Sequence, residues 1–127
     1  MIAVDASALL AILLDEPDAG VYLSKLVAAT SIRISPINWW EVQVRMRGKY
    51  GEPGEQQSAT WMERLGIAVE PVTLAQAQIA TDAFARYRGR PARLNMGDCF
   101  AYALARSKGI ALLYKGDDFD STDIRAA

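Results

Sequence analysis

Five acidic residues stand where chemistry could be done: Asp5, Glu41, Asp98 and the neighbours Asp117 and Asp118. Asp5 follows the apolar Ile2-Ala3-Val4 and precedes another apolar stretch. Aspartate is a good helix N-cap in that position, and a carboxylate there also stands at the mouth of a fold. Ser7, two residues on, is a second cap candidate or a hydroxyl that steadies Asp5. Glu41 shares a helical face with Ile37, Trp40 and Val44. A carboxylate on an apolar stripe needs a partner, because burying it alone is costly or forces a proton onto it. Arg45, four residues on, offers an ordinary ion pair; a metal ion or an open cleft is the functional alternative. Asp98 falls in the first turn of a helix that Asn95 can cap, where the dipole favours negative charge. Its setting, Gly97 before it and small residues after, lets that helix pack closely. Asp117 and Asp118 lie in a loop that is polar whatever its role.

Brought together, these acids repel one another and raise one another's pKa unless a cation compensates them. All-oxygen ligation selects a hard ion, Mg²⁺ or Mn²⁺. A metal-activated water is a nucleophile, and the same ion polarises a scissile phosphate, so phosphodiester hydrolysis is within reach. The chain has no histidine, which removes Ser-His-Asp and Cys-His catalysis and histidine-ligated zinc together. Four arginines, Arg86, Arg88, Arg90 and Arg93, fall within eight residues and lead into the Asp98 segment. With Tyr87 among them they suit a phosphate backbone and an unpaired base, although a solvated charge run has the same composition. Lys115, beside the acidic loop, is a further phosphate candidate. Trp39, Trp40 and Trp61 are expected to be core or interface anchors rather than base-stacking platforms.

The elements that must position these groups follow from periodicity and punctuation. Ile2 to Val4 reads as a buried strand that delivers Asp5 to its end, followed by a helix from Ala6 to Leu14. Asp18 is expected to cap a helix reaching about Ala29, and Ile32 to Ser35 alternates like a strand. Ser35-Pro36 is a strong helix start, and the helix it opens carries Glu41 and ends near Tyr50. Another helix runs to Leu65, stopped by Gly66, and Ile67 to Glu70 is strand-like. Thr73 and Gln76 form a capping box for a helix through Tyr87. The helix after Asn95 stops at Gly109, and Ile110 to Tyr114 is the last strand. Strands alternating with helices predict an α/β sandwich with a parallel sheet, whose ligands bind beyond the carboxyl ends of the strands.

A length of 127 residues, with 51% hydrophobic and 23% charged residues, fits one globular domain over residues 1–127. The net charge of −1 argues against whole-surface binding of nucleic acid but not against a local basic patch. The single cysteine, Cys99, cannot form an internal disulfide, and Asp5 interrupts what a secretory signal would need. The cytoplasm is the expected compartment.

Three stretches carry a family resemblance: Val4-Asp5-Ala6-Ser7-Ala8-Leu9, then Leu94-Asn95-Met96-Gly97-Asp98-Cys99 with the small residues after it, and Leu113-Tyr114-Lys115-Gly116-Asp117-Asp118-Phe119. In order and spacing the chain resembles VapC-type toxins of the PIN-domain family over essentially its whole length. The resemblance implies a PIN-like three-layer α/β/α sandwich with a short, mostly parallel sheet, and an Mg²⁺- or Mn²⁺-dependent endoribonuclease. Asp5, Glu41 and Asp98 match the first three acids of the family. Relatives often carry the fourth slightly earlier, where Gly116 stands here; Asp117 is the expected fourth acid and Asp118 the alternate. The resemblance also implies an RNA substrate, a cognate VapB-like antitoxin that occupies the acidic groove, and a homodimer. A degenerate PIN fold that binds RNA or protein without turnover is the competing reading.

Overall fold

The computed structural model describes all residues, 1–127. Four short strands, β1 (Ile2–Val4), β2 (Ile32–Ile34), β3 (Ile67–Val69) and β4 (Ala111–Leu113), form a wholly parallel sheet in the order β3-β2-β1-β4. Six helices connect them: α1 (Ala6–Leu13), α2 (Ala19–Ala28), α3 (Pro36–Tyr50), α4 (Glu52–Leu65), α5 (Leu74–Tyr87) and α6 (Met96–Lys108). The expected α/β sandwich is present.

Alternation along the strands divides the interior in two. Val4 and Leu113 face a core shared with α1 to α4, where Leu9, Leu26, Val42 and Met46 are buried. Ala3 and Leu112 face the opposite core, made with α5 and α6 around Tyr102, Leu104 and Phe119. Three layers result, and a sheet covered on both faces explains the continuous apolar runs of β1 and β4, while Arg33 interrupts β2 and pairs with Glu70. Small residues dominate the buried side of α6, including Ala101, Ala103 and Ala105, which lets that helix lie close to the sheet. No helix is long and apolar enough to cross a membrane.

Local signals set most boundaries. Ser35 caps α3 through its Oγ, which accepts from the Ile37 N–H, with Pro36 at the first helical position. Gly66 and Gly109 end α4 and α6 in the left-handed region, at φ 64° and 63°, where a side chain is disfavoured. Two expectations need correction. Only half of the expected box forms at α5: Thr73 accepts from the Gln76 N–H, while Gln76 itself is buried. Asp18 makes no capping bond to α2, because its carboxylate accepts from Lys115 Nζ at 2.9 Å instead.

Candidate active site

β1 and β4 run side by side in register, and the Asp5 N–H donates to the Leu113 carbonyl at 2.9 Å. The carboxyl end of β1 is thereby fixed beside the loop that follows β4. Asp5 is 4% exposed and caps α1, its Oδ2 accepting from the Ser7 N–H at 3.0 Å and the Ser7 hydroxyl at 2.6 Å. Ser7 Oγ in turn accepts from the Lys115 N–H at 3.0 Å, so one hydroxyl ties Asp5 to the β4 loop. The cap and the cleft carboxylate are the same side chain. Burial raises the Asp5 pKa, and the charge of Asp118 adds to the rise against the lowering bonds from Ser7 and Ala6.

Glu41 comes from α3, whose buried stripe is Asn38, Val42 and Met46. Asn38 is completely buried, and its Nδ2 donates to Glu41 Oε1 at 2.8 Å and to the Gly97 carbonyl at 2.9 Å, with Asp5 Oδ1 at 3.5 Å. One amide therefore joins two carboxylates to the start of α6. Its Oδ1 is buried without a partner. Gly97 is where α6 meets Glu41, and a Cβ there would collide with the carboxylate. Burial raises the Glu41 pKa; the Asn38 bond opposes this and the Asp5 charge reinforces it. Arg45 makes no ion pair with Glu41; the ordinary partner foreseen for this acid is not used.

Asp98 closes a complete capping box at α6. Its N–H donates to Asn95 Oδ1 at 2.9 Å, and its Oδ2 accepts from the Asn95 N–H at 3.0 Å. Burial pushes its pKa up to about 7, and the charges of Asp5, Asp118 and Glu41 add to the rise against the Asn95 bond. Four acids from four remote segments thus act on one another. The charge of Asp118 raises both Asp5 and Asp98. Phe119, buried in the second core and 4.9 Å from the Tyr114 ring, anchors the loop that carries the pair.

Asp5, Glu41 and Asp98 open into a cleft of about 550 Å³ between α1, α3 and the start of α6, whereas Asp117 and Asp118 line a separate, smaller cavity. Asp5, Ser7, Glu41, Asn95 and Asp98 line its acidic end. Lys115 reaches the rim, but its ammonium is engaged by Glu16 at 2.6 Å and Asp18 at 2.9 Å, which hold its pKa at about 12. The lysine is committed within the protein rather than held open for a phosphate. Trp40, 59% exposed, lies on the cleft wall, whereas Trp39 and Trp61 are partly buried against the first core. The apolar stripe beside Glu41 is accordingly a wall of the cleft and not a core seam.

The basic loop does not act as one patch. Arg90 and Arg93 share a small polar cavity with Asp117 and Asp118, at the edge of the acidic region. Arg86 sits over the Tyr87 ring at 5.1 Å and lines a separate cavity with Tyr102 and Arg106. Arg88 sits over the Phe84 ring at 5.7 Å. Asn38 is the residue that sequence reasoning passed over. Its signal was legible, for a polar residue occupies the first position of the i, i+4, i+8 stripe otherwise filled by Val42 and Met46.

The family model for the PIN domain matches residues 2–125. A protein of Mycolicibacterium smegmatis described as a ribonuclease VapC is 43% identical over 126 residues, covering 97% of each chain. Among solved structures, the sarcin-ricin-loop-cleaving toxin VapC20 of Mycobacterium tuberculosis superposes with a TM-score of 0.83 at 18% identity, over 100% of this chain and 98% of that one. A toxin–antitoxin complex from Klebsiella pneumoniae gives a TM-score of 0.77 at 18% identity, over 97% and 93%. At such identities the solved structures speak for the fold alone.

Proposed function

We propose that this chain, which belongs to the PIN-domain family, is the ribonuclease toxin of a toxin–antitoxin pair. We assign its chemistry to Asp5, Glu41, Asp98 and one acid of the Asp117–Asp118 pair, of which Asp118 is the one whose charge bears on Asp5 and Asp98. The observation that carries this reading is the mutual repulsion at the cleft. Burial and neighbouring negative charge raise three of the four acids, and no lysine or arginine forms an ion pair with any of the four.

The donor set fits a hard divalent cation, Mg²⁺ or Mn²⁺, because every available ligand atom is an oxygen. No three of the acids enclose a metal site by themselves. An ion held by fewer than three of them would keep waters of its own and share ligation with substrate phosphate oxygens. When bound, such an ion supplies charge neutralisation and Lewis acidity at the scissile phosphate. The chain's own residues do the positioning. Asn38 holds Glu41 and Asp5 in a fixed relation, Ser7 holds Asp5 against the β4 loop, and the Asn95–Asp98 box fixes Asp98 at the rim. Arg90 and Arg93, next to Asp118, suit flanking phosphates of the RNA; Arg86, Arg88 and Lys115 are otherwise engaged.

An antitoxin partner agrees with the solved toxin–antitoxin complex that shares the fold. We further assign one domain over residues 1–127, a cytoplasmic location and a homodimer; the exposed Phe84 and Met96 along α5 and α6 give a second copy an apolar face. The test is cleavage of a labelled RNA pool by antitoxin-free protein with Mg²⁺ or Mn²⁺. Cutting should vanish with chelator and in Asp98→Asn, whose fold should persist because the amide retains the acceptor that Asn95 needs. Metal binding without any cutting would instead favour the binding-only module.

A further inference from the structure

The cleft has a second half that the acids do not explain. Beyond Asp5 and Glu41 its walls are Leu10 on α1, Leu14 at its C-cap, and Trp40 and Val44 on α3. Trp40 is 59% exposed and Val44 48%, an aromatic and a branched residue one turn apart, facing solvent directly beside a charged site. From Ala6 through Leu10 to Leu14 this stripe runs about 12 Å along α1. Arg45, one turn after Glu41, stands at the same cleft and forms no ion pair.

We propose that Trp40 is a stacking platform for one unpaired base next to the scissile phosphate, so that the enzyme selects RNA with an unstacked nucleotide at the cut. This rests on the ribonuclease reading above and adds the substrate's local structure to it. Covalent continuity carries the argument: a phosphate held at Asp5, Glu41 and Asp98 places its neighbouring nucleotide against whatever wall adjoins those acids. That wall is the indole, which follows into the cleft from the residue before Glu41. An aromatic face stacks on any base, so the wall selects unpaired structure and not a particular letter. The unpaired guanidinium of Arg45 at the same cleft matches the next phosphate, a group an apolar peptide would lack. A base inside a duplex is already stacked and cannot reach the wall without first being extruded.

The experiment measures binding in the cleavage-silent Asp98→Asn background, with Mg²⁺ present. The probes are a single-stranded dodecamer RNA spanning a cut mapped with the wild-type protein, the same dodecamer with one abasic position moved along it, and a blunt RNA duplex. Trp40→Ala should weaken the single-stranded dodecamer about tenfold or more, the scale of losing one base stack. The weakening should shrink when the abasic position falls at the cut and be absent for the duplex. Trp40→Phe should restore most of the affinity while removing the Trp40 share of the quenching of indole emission that RNA produces. Equal weakening of all three probes would overturn the proposal, as would Trp40→Ala binding RNA normally while failing to bind a protein partner. Wild-type cleavage of the pool, measured alongside, separates the two levels. If the wild type cuts RNA and Trp40→Ala changes nothing, only the stacking wall falls; if the wild type neither cuts nor binds RNA, the ribonuclease reading falls with it.

Discussion

A fully buried amide that bonds two carboxylates and a backbone carbonyl has few alternatives for its hydrogens. Asn38 Nδ2 spends both on Glu41 and Gly97, with Asp5 at the edge of reach. Replacing Asn38 by Ala leaves the buried Gly97 carbonyl without its donor, a cost of about 1–3 kcal/mol. It also lets Glu41 swing. RNA cleavage by Asn38→Ala should therefore fall about 10–100-fold, the usual penalty for losing a residue that orients a ligand, while metal affinity falls in parallel. Cleavage at the wild-type rate with normal metal affinity would show that Glu41 is held by something else. The orphaned Oδ1 of the same amide is consistent with a residue placed for its donors, since the acceptor is left without a bond.

At the scale of elements, the site depends on how closely α6 approaches α3. Gly97→Ala adds one methyl group at a helical position, which by propensity alone would stabilise α6 by up to about 1 kcal/mol. The Cβ, however, meets the Glu41 carboxylate. The expected outcome is a loss of cleavage of at least about tenfold with little change in far-ultraviolet circular dichroism; unaltered cleavage would mean that the two helices part without harm. Much of this arrangement was legible in the sequence. Ser35-Pro36, Asn95, Gly66 and Gly109 set helix ends through bonds within a few residues of themselves, and such signals travel with the chain. What was not legible involves partners far away. Asp18 has the right type for a cap but bonds Lys115, 97 positions on, and no local signal in the sequence foretells that pairing. The choice between Asp117 and Asp118 depends on which way a loop turns, and no periodicity encodes that. By type Trp40 is expected to be a core or interface anchor, whereas its position on the exposed side of α3 places it on the cleft wall.

For the molecule as a whole, the acid cluster ties stability to pH. Asp98 is raised to about 7, and Asp5 and Glu41 are raised as well. The folded protein thus holds protons that the unfolded chain, with carboxylates titrating near 4, has already released. The stabilisation is fully present below about pH 4 and declines as pH rises, the share of Asp98 being lost as it titrates near pH 7. Metal-free protein should melt at a higher temperature at pH 5 than at pH 8, and in one transition if residues 1–127 are a single cooperative domain. Asp98→Asn should flatten the dependence. Divalent ion at a hundredfold excess over its Kd should raise the melting temperature at pH 8 by roughly 10 °C. Melting that ignores both pH and metal would count against a shared site for these acids.

Gly97 has a consequence for how the protein changes over generations. Every missense change at its codon adds a Cβ, and the space that atom needs is filled by the Glu41 carboxylate. Among cells that outlive expression of a harmful protein, survivors should therefore carry substitutions at this codon as readily as at the acids themselves, and their protein should remain full-length, folded and able to occupy its partner.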